Sequence, residues 1–387
     1  MGSALALTAT LGTGSSAAQP GRAAAAAQEA AFNNGTGQAI AESIRVDPVS
    51  GGLSFGVGIG QALAGHQNTV GAADSRALNF GVIGVSLAGE GCDGGDPTLP
   101  ADEQPQPVIA RTGDEGAEEG YSAGESFAGG QIEKFARATA DPFAEAITTG
   151  TPFEIPGVLT VAGSRSVAHS GVVNGDTREA IAATEISGIS FAGGQIRLGG
   201  FRSEAIHRSG AVDEVSGTFS IGSASIAGVP LPVENPLATL AQLNGALLPL
   251  GFEIQAPTFS EATTSTGTIA VVSPLSIAIV PSALRDGLIG PIVGGLQPAR
   301  EALFDALLEA DCGNSTYITI LDIALNAISA GGRLGLEFGG VQATTGSITR
   351  FDFGTRPPGA QGPSTGVTPA SGARTPTGTG SSSTPRP

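Results

Sequence analysis

Few residues of this 387-residue chain have the type and spacing that chemistry requires. Gly120-Tyr121-Ser122-Ala123-Gly124 fits the Gly-x-Ser-x-Gly elbow of serine hydrolases. In that elbow a buried strand enters the serine and a helix leaves it, so that Oγ stands strained above a sheet. Here Asp114-Glu115-Gly116-Ala117-Glu118-Glu119 precedes Ser122, and Phe127-Ala128-Gly129-Gly130 soon follows. Neither flank suits the motif. Asp141 or Asp176, then His169 or His207, would complete a triad, but only a hydrogen-bonded constellation makes one. Ser122 therefore reads as a loop serine, with a serine hydrolase kept as an alternative.

Gly56-Val57-Gly58-Ile59-Gly60 invites a dinucleotide reading, yet its glycines alternate along one strand instead of marking a strand-to-helix turn. His66, His169 and His207 are too scattered to read as a zinc site. Asp93-Gly94-Gly95-Asp96-Pro97 is the best ligand candidate: Asp93 and Asp96 offer hard oxygens on a pliant turn, which suits weakly bound calcium. It lacks the full Asp-x-Asp-x-Asp-Gly pattern, and a solvated acidic loop is the plainer reading. No catalytic residue and no other cofactor is assigned, so the chain is expected not to be an enzyme.

Composition narrows the partners. A formal net charge of −17 with only 18 Lys+Arg argues against nucleic acid and against electrostatic attachment to anionic lipid. Lys134 is the sole lysine, which points to GC-rich codon usage and an actinobacterium-like source. Cys92 and Cys312 have no partner at metal or redox spacing. A single disulfide between them is expected, with two unrelated thiols as the alternative. Closing so long a loop would contribute about 5 kcal/mol in the chain-entropy picture.

The elements that must position any site are mostly strands. With 60 Gly, 25 Pro, no Trp and 5% aromatics, the core must be built from Val, Ile, Leu, Ala and Phe, and long helices are disfavoured. Leu53–Gly60 alternates large and small residues, which predicts one core face and one smooth face. Ala39–Val46 and Leu334–Phe338 alternate similarly, and Tyr317–Ile323 reads as a central strand. Asn174-Gly175 signals a tight hairpin. The most specific feature is a repeat: Gly124-Glu125-Ser126-Phe127-Ala128-Gly129-Gly130-Gln131-Ile132 recurs at Gly188–Ile196 with eight identities in nine. Its Ser/Thr-apolar-Ala-Gly core returns at Ser86–Gly89, Thr160–Gly163 and Ser225–Gly228, as expected of repeated strand–turn–strand units.

Helices are predicted over Pro298–Ala310 and, shorter, over Pro236–Leu248, and the acidic stretch Asp93–Gly120 over a long loop. The predicted fold is mainly β, an antiparallel sandwich or layered sheet of hairpin repeats with one or two covering helices. Residues 1–38 read as a signal-peptide remnant and an Ala-rich lead-in, with a cleavage site after Ala18, and 39–355 as a β-rich ectodomain. In 356–387, 27 of 32 residues are Gly, Pro, Ser, Thr or Ala, the composition of a disordered stalk.

A secretion-like start, hairpins of the form Gly-Ile-Ser-Phe-Ala-Gly-Gly-Gln-Ile, an apolar helical region, a late Gly-rich strand and a Thr/Pro tail together resemble the choice-of-anchor P family. These are actinobacterial surface proteins of unknown molecular function with varied C-terminal anchors. The resemblance covers roughly residues 120–350 and implies surface display, with no catalytic residues to carry over. The expectation is a non-catalytic, extracellular or cell-surface structural protein of the adhesion type. Its partner would be an unidentified surface or cell-wall component, and no transmembrane segment is expected. An extracellular lipid- or glycan-binding module is the first alternative.

Overall fold

Alanine recurs two positions apart at 39/41, 62/64, 136/138, 144/146 and 180/182. In an extended chain such pairs share one face. The computed structural model describes residues 35–50, 53–54, 56–81, 105–112, 118–127, 130–139, 141–155, 159–264, 267–280, 301, 305 and 333–347. In it every one of those alanines is buried between two sheets.

Strands are numbered in chain order. The first sheet runs β17 (Phe252–Gln255), β20 (Leu275–Ile279), β21 (Arg333–Ser347), β1 (Gly35–Ser50), β3 (Val57–Gln67), β4 (Val70–Asn79) and β5 (Val108–Arg111). β19 (Gly267–Val272) also borders β21 and carries β18 (Phe259–Thr264), while β2 (Leu53–Ser54) pairs with β1. The second sheet runs β16 (Val229–Leu231), β15 (Ser223–Ile226), β13 (Ile196–Gly210), β12 (Thr177–Phe191), β11 (Ser164–Val173), β8 (Phe143–Gly150), β7 (Gly130–Thr139) and β6 (Glu118–Phe127). β14 (Glu214–Ser220) also pairs with β13, β10 (Leu159–Val161) with β12, and β9 (Phe153–Ile155) with β10. All pairs are antiparallel, and the two sheets face each other as a sandwich.

Register stacks the small residues into rows. Ala110, Ala73, Ala64, Ala39, Ala343 and Ala270 lie side by side across six strands of the first sheet. Ala136, Ala146, Ala168, Ala182 and Ala205 do the same across five strands of the second. Methyl-sized side chains let facing backbones approach closely: Cα atoms of facing strands come within 8 Å, against about 10 Å between the sheets of an ordinary sandwich. At Gly71 a Cβ would stand 2.5 Å from the carbonyl oxygen of Phe143 on the opposite sheet, so only glycine fits.

The other half of the sandwich is wider. Ser43 of β1 lies between Gly60 of β3 (φ 68°) and Gly339 of β21 (φ 73°), and the ladder skips all three. Gly200 (φ 60°) marks a similar break opposite Ser187 in the second sheet. Past these kinks the inward set changes phase: Ile44 follows Ser43, and Phe338 precedes Val341. Large side chains fill the space beyond, with Phe191 and Phe338 meeting edge-to-face at 5.7 Å across the sheets. Helix α1 (Pro236–Leu247) adds Leu240, Leu243 and Leu247 to this core. Asn235 caps it, its side chain accepting from the Ala238 amide, and Asn244 Oδ1 accepts from Ile254 N of β17 at 2.8 Å. Helix α1 agrees with the 236–248 expectation; of 298–310 only Glu301 and Asp305 are described, both helical.

Several expectations are corrected. Leu53–Gly60 is split between β2 and β3, because β1–β2 is its own tight hairpin, Ser50 facing Leu53. Within 93–120, residues 108–111 form β5 and 118–120 begin β6. The first strand starts at Gly35, ahead of the boundary at 38. The expected Cys92–Cys312 disulfide is corrected: a bridge between them is not supported. Both cysteines, the Asp93/Asp96 turn, Ser86–Gly89, Tyr317–Ile323 and the stretches 1–34 and 356–387 lie outside the described residues.

Candidate functional site

The titratable side chains of the interior join the two sheets. His66 of β3 is 5% exposed, and its Nδ1 lies 2.9 Å from Ser170 Oγ of β11. Two strands along each sheet, His207 of β13 mirrors it, with Nδ1 2.7 Å from Thr345 Oγ1 of β21. Both pairs share one transverse layer, since Gly37 is paired with His66 and Thr345, and Ala180 with Ser170 and His207. A second polar layer lies at the kinks. Ser43 and Ser166 hydroxyls are 2.7 Å apart, as are those of Ser75 and Thr148, each pair crossing between the sheets. Lys134 of β7 is buried in the same layer and donates to the Gln106 carbonyl.

His66 and Ser170 are spaced like a base and a nucleophile, but both are sealed between the sheets, where no substrate reaches them. Burial, aided by the nearby Arg178 charge and His169, pushes the His66 pKa down to about 4. Burial likewise lowers His207, against the opposing influence of Glu261 and Asp213. Both imidazoles are thus held neutral, each with an Nε2 that finds no partner among the described residues. These are inter-sheet clamps.

Ser122 sits within β6, opposite Lys134, and strand continues past it to Phe127 where the elbow motif requires a helix. His169 lies three strands away on β11 and His207 five strands away on β13, at least about 14 Å and about 24 Å at the usual strand spacing. His169 faces outward, beside Glu179 at 3.3 Å. Gly58 and Gly60 lie inside β3, which continues to Gln67 and turns into strand β4 where the fingerprint requires a helix. Among the described residues no group of three or more His, Cys, Asp or Glu could hold a metal ion.

What the surface does offer is a groove of about 610 Å³ on the outer face of the second sheet. It lies over the second copy of the repeat. Glu154, Thr160, Ser190 and Arg197 come from adjacent strands β9, β10, β12 and β13 in direct register. Gly188 and Gly199 form a floor without side chains, and Ser223 Oγ takes the space a Cβ on Gly199 would need. Arg197 Nε donates to the Gly194 carbonyl of the turn at 3.2 Å, which fixes the guanidinium at the rim. The groove therefore combines hydroxyls, one cation, one carboxylate and exposed backbone. Ala162, Ile189 and Leu198 also line it, and no aromatic side chain does so among the described residues.

The sequence reading missed these residues. Their one signal is where the repeat copies diverge: Gln131-Ile132 is followed by Glu133, and Gln195-Ile196 by Arg197. Both copies form hairpins, as expected, but Phe127 pairs with Gly130 whereas Phe191 pairs with Ile196. The second loop is longer and opens the groove. Among the described residues no helix is long and apolar enough to cross a membrane. No protein-family profile, curated protein or solved structure matches this chain.

Proposed function

We propose that this is an exported, non-catalytic structural protein of the adhesion type from a high-GC bacterium, akin to the choice-of-anchor P proteins, which contacts glycan through the outer groove. The observation that carries this reading is the placement of the polar groups. His66, His207, Lys134 and the buried serines and threonines brace one sheet against the other, while the outward hydroxyls, Arg197 and Glu154 converge on an open groove. A braced frame with an open polar face supports adhesion; a catalytic site needs a base beside a reachable reacting atom. The acidic chain and Thr/Pro-rich tail support an extracellular setting.

The glycan reading favours polyols over lipid because Ser, Thr, Arg and Glu supply directional hydrogen bonds at the level of the sheet. It is tested by binding of the purified chain to isolated bacterial cell-wall polysaccharide, compared with an Arg197→Ala variant of unchanged thermal stability. Saturable binding that falls about tenfold in the variant is expected, the loss of one charge-assisted hydrogen bond. Absence of binding, or equal binding by both proteins, refutes it.

A further inference from the structure

The kink in β21 opens a second site, on the outer face of the first sheet. β19 follows β21 as far as Val272 opposite Val341, and β20 resumes at Leu275 opposite Phe338. Between them Ser273 and Pro274 stand against Gly339 and Gly340, and a cavity of about 280 Å³ lies over the gap. Ile40, Val271 and Pro274 give it apolar walls; Glu42, Arg45 and Glu337 are its charged groups.

These three charges are not equivalent. Glu42 is satisfied: Oε1 accepts from Arg45 Nε at 2.7 Å, and Oε2 from Gln61 Nε2 at 3.2 Å. Arg45 is correspondingly engaged. Glu337 lies directly opposite Arg45 in the β1–β21 register, yet no side-chain hydrogen bond reaches its carboxylate from the described residues. We propose that this cavity binds an alkylammonium group, its charge on Glu337 and its aliphatic stem against Ile40, Val271 and Pro274. Burial raises the Glu337 pKa, with Arg45 and Arg333 opposing and Asp47 and Glu42 reinforcing, so an incoming cation relieves a carboxylate that is poorly compensated.

Other ligand classes fit less well. A hard metal ion requires about six oxygens, and here one unengaged carboxylate stands among apolar walls. An anion would meet Glu337 and an arginine already committed to Glu42. A lysine from a second copy is ruled out as the source, because the sole lysine, Lys134, is buried. The ammonium belongs either to a lysine side chain of a different protein or to a small free amine, and the net charge of −17 attracts both.

The test follows backbone amide shifts of the full chain during titration with n-butylammonium, neutral 1-butanol and Nα-acetyl-lysine amide. Butylammonium should saturate in the millimolar range, moving Gly340 and Gln342, with butanol about tenfold weaker. Glu337→Gln should bring butylammonium down to the level of butanol. Val271→Trp, which fills the cavity from its wall, should abolish binding of both and serves if Glu337→Gln misfolds. Binding of acetyl-lysine amide as well as butylammonium assigns the site to protein lysines; binding of butylammonium alone assigns it to small amines. No saturation by about 100 mM, equal affinity for butanol, or indifference to both substitutions overturns the proposal.

Discussion

Acid should weaken this sandwich through His66. Its imidazole is 5% exposed, its Nδ1 engages Ser170 across the sheets, and its buried Nε2 has no partner among the described residues. Protonation would place a charge there beside Arg178 and His169, which both disfavour it. The unfolded chain has the ordinary pKa of 6.5, and the folded one about 4. Above 6.5 the residue is neutral in both states and the fold has its full stability. As pH falls from 6.5 toward 4 the unfolded chain takes up a proton that the folded chain refuses, so stability is lost across that window. At about 1.4 kcal/mol per pH unit the total is about 3 kcal/mol, reached near pH 4. The assay is urea unfolding of the wild type and of His66→Asn at pH 7.5, 6.0 and 4.5. His207 and the carboxylates titrate in both proteins, so the difference between the two pH profiles isolates His66. The wild type should lose about 2–3 kcal/mol more than the variant between pH 7.5 and 4.5. Parallel profiles would show that His66 is not held neutral by the inter-sheet layer, and the reasoning would fail.

Three further outcomes follow from the packing. Ala182→Leu adds apolar surface but has no room between the close-set sheets, so chemical denaturation should show destabilisation of about 1–3 kcal/mol; a neutral or stabilised variant would contradict the tight alanine rows. Gly339→Ala combines a φ of 73° with a Cβ only 2.4 Å from the Phe201 ring, and its melting temperature should drop by several degrees, about 1–3 kcal/mol; an unchanged melt would argue against the kink. Lys134 is 1% exposed, so an amine-reactive ester should modify its peptide only after unfolding in denaturant, as read by mass mapping; modification at native stability would show that the layer is open.

The repeat shows how far local sequence reaches. Phe-Ala-Gly-Gly-Gln-Ile specifies a hairpin in both copies, because glycine supplies the turn and the flanking residues favour extension. The identical hexapeptide nevertheless closes Phe127 on Gly130 in one place and Phe191 on Ile196 in the other. Neighbouring strands set that register, since β12 and β13 also pair along their whole lengths down to Thr177 and Gly210. Likewise, alternation at Ala39–Val46 identified a strand but not which face was core. Ala39 and Ala41 point inward while Ile40 lies on the outer face, lining the cavity beside Glu42.

Composition and period thus determined by themselves that this chain is β-rich, that hairpins close at Asn174-Gly175 and at both Phe-Ala-Gly-Gly copies, and that a short helix starts after Asn235. Those properties depend on backbone sterics and on residues within a few positions of one another. Tertiary structure alone decided that alanine, not leucine or isoleucine, lines half of the interior. It also decided that His66 and His207 clamp the sheets, that Ser122 stands strands away from any histidine, and that Glu154, Thr160, Ser190 and Arg197 share a groove. Each depends on which strands become neighbours and how near two sheets come. That proximity is a property of the summed packing of many side chains, and no single segment encodes it.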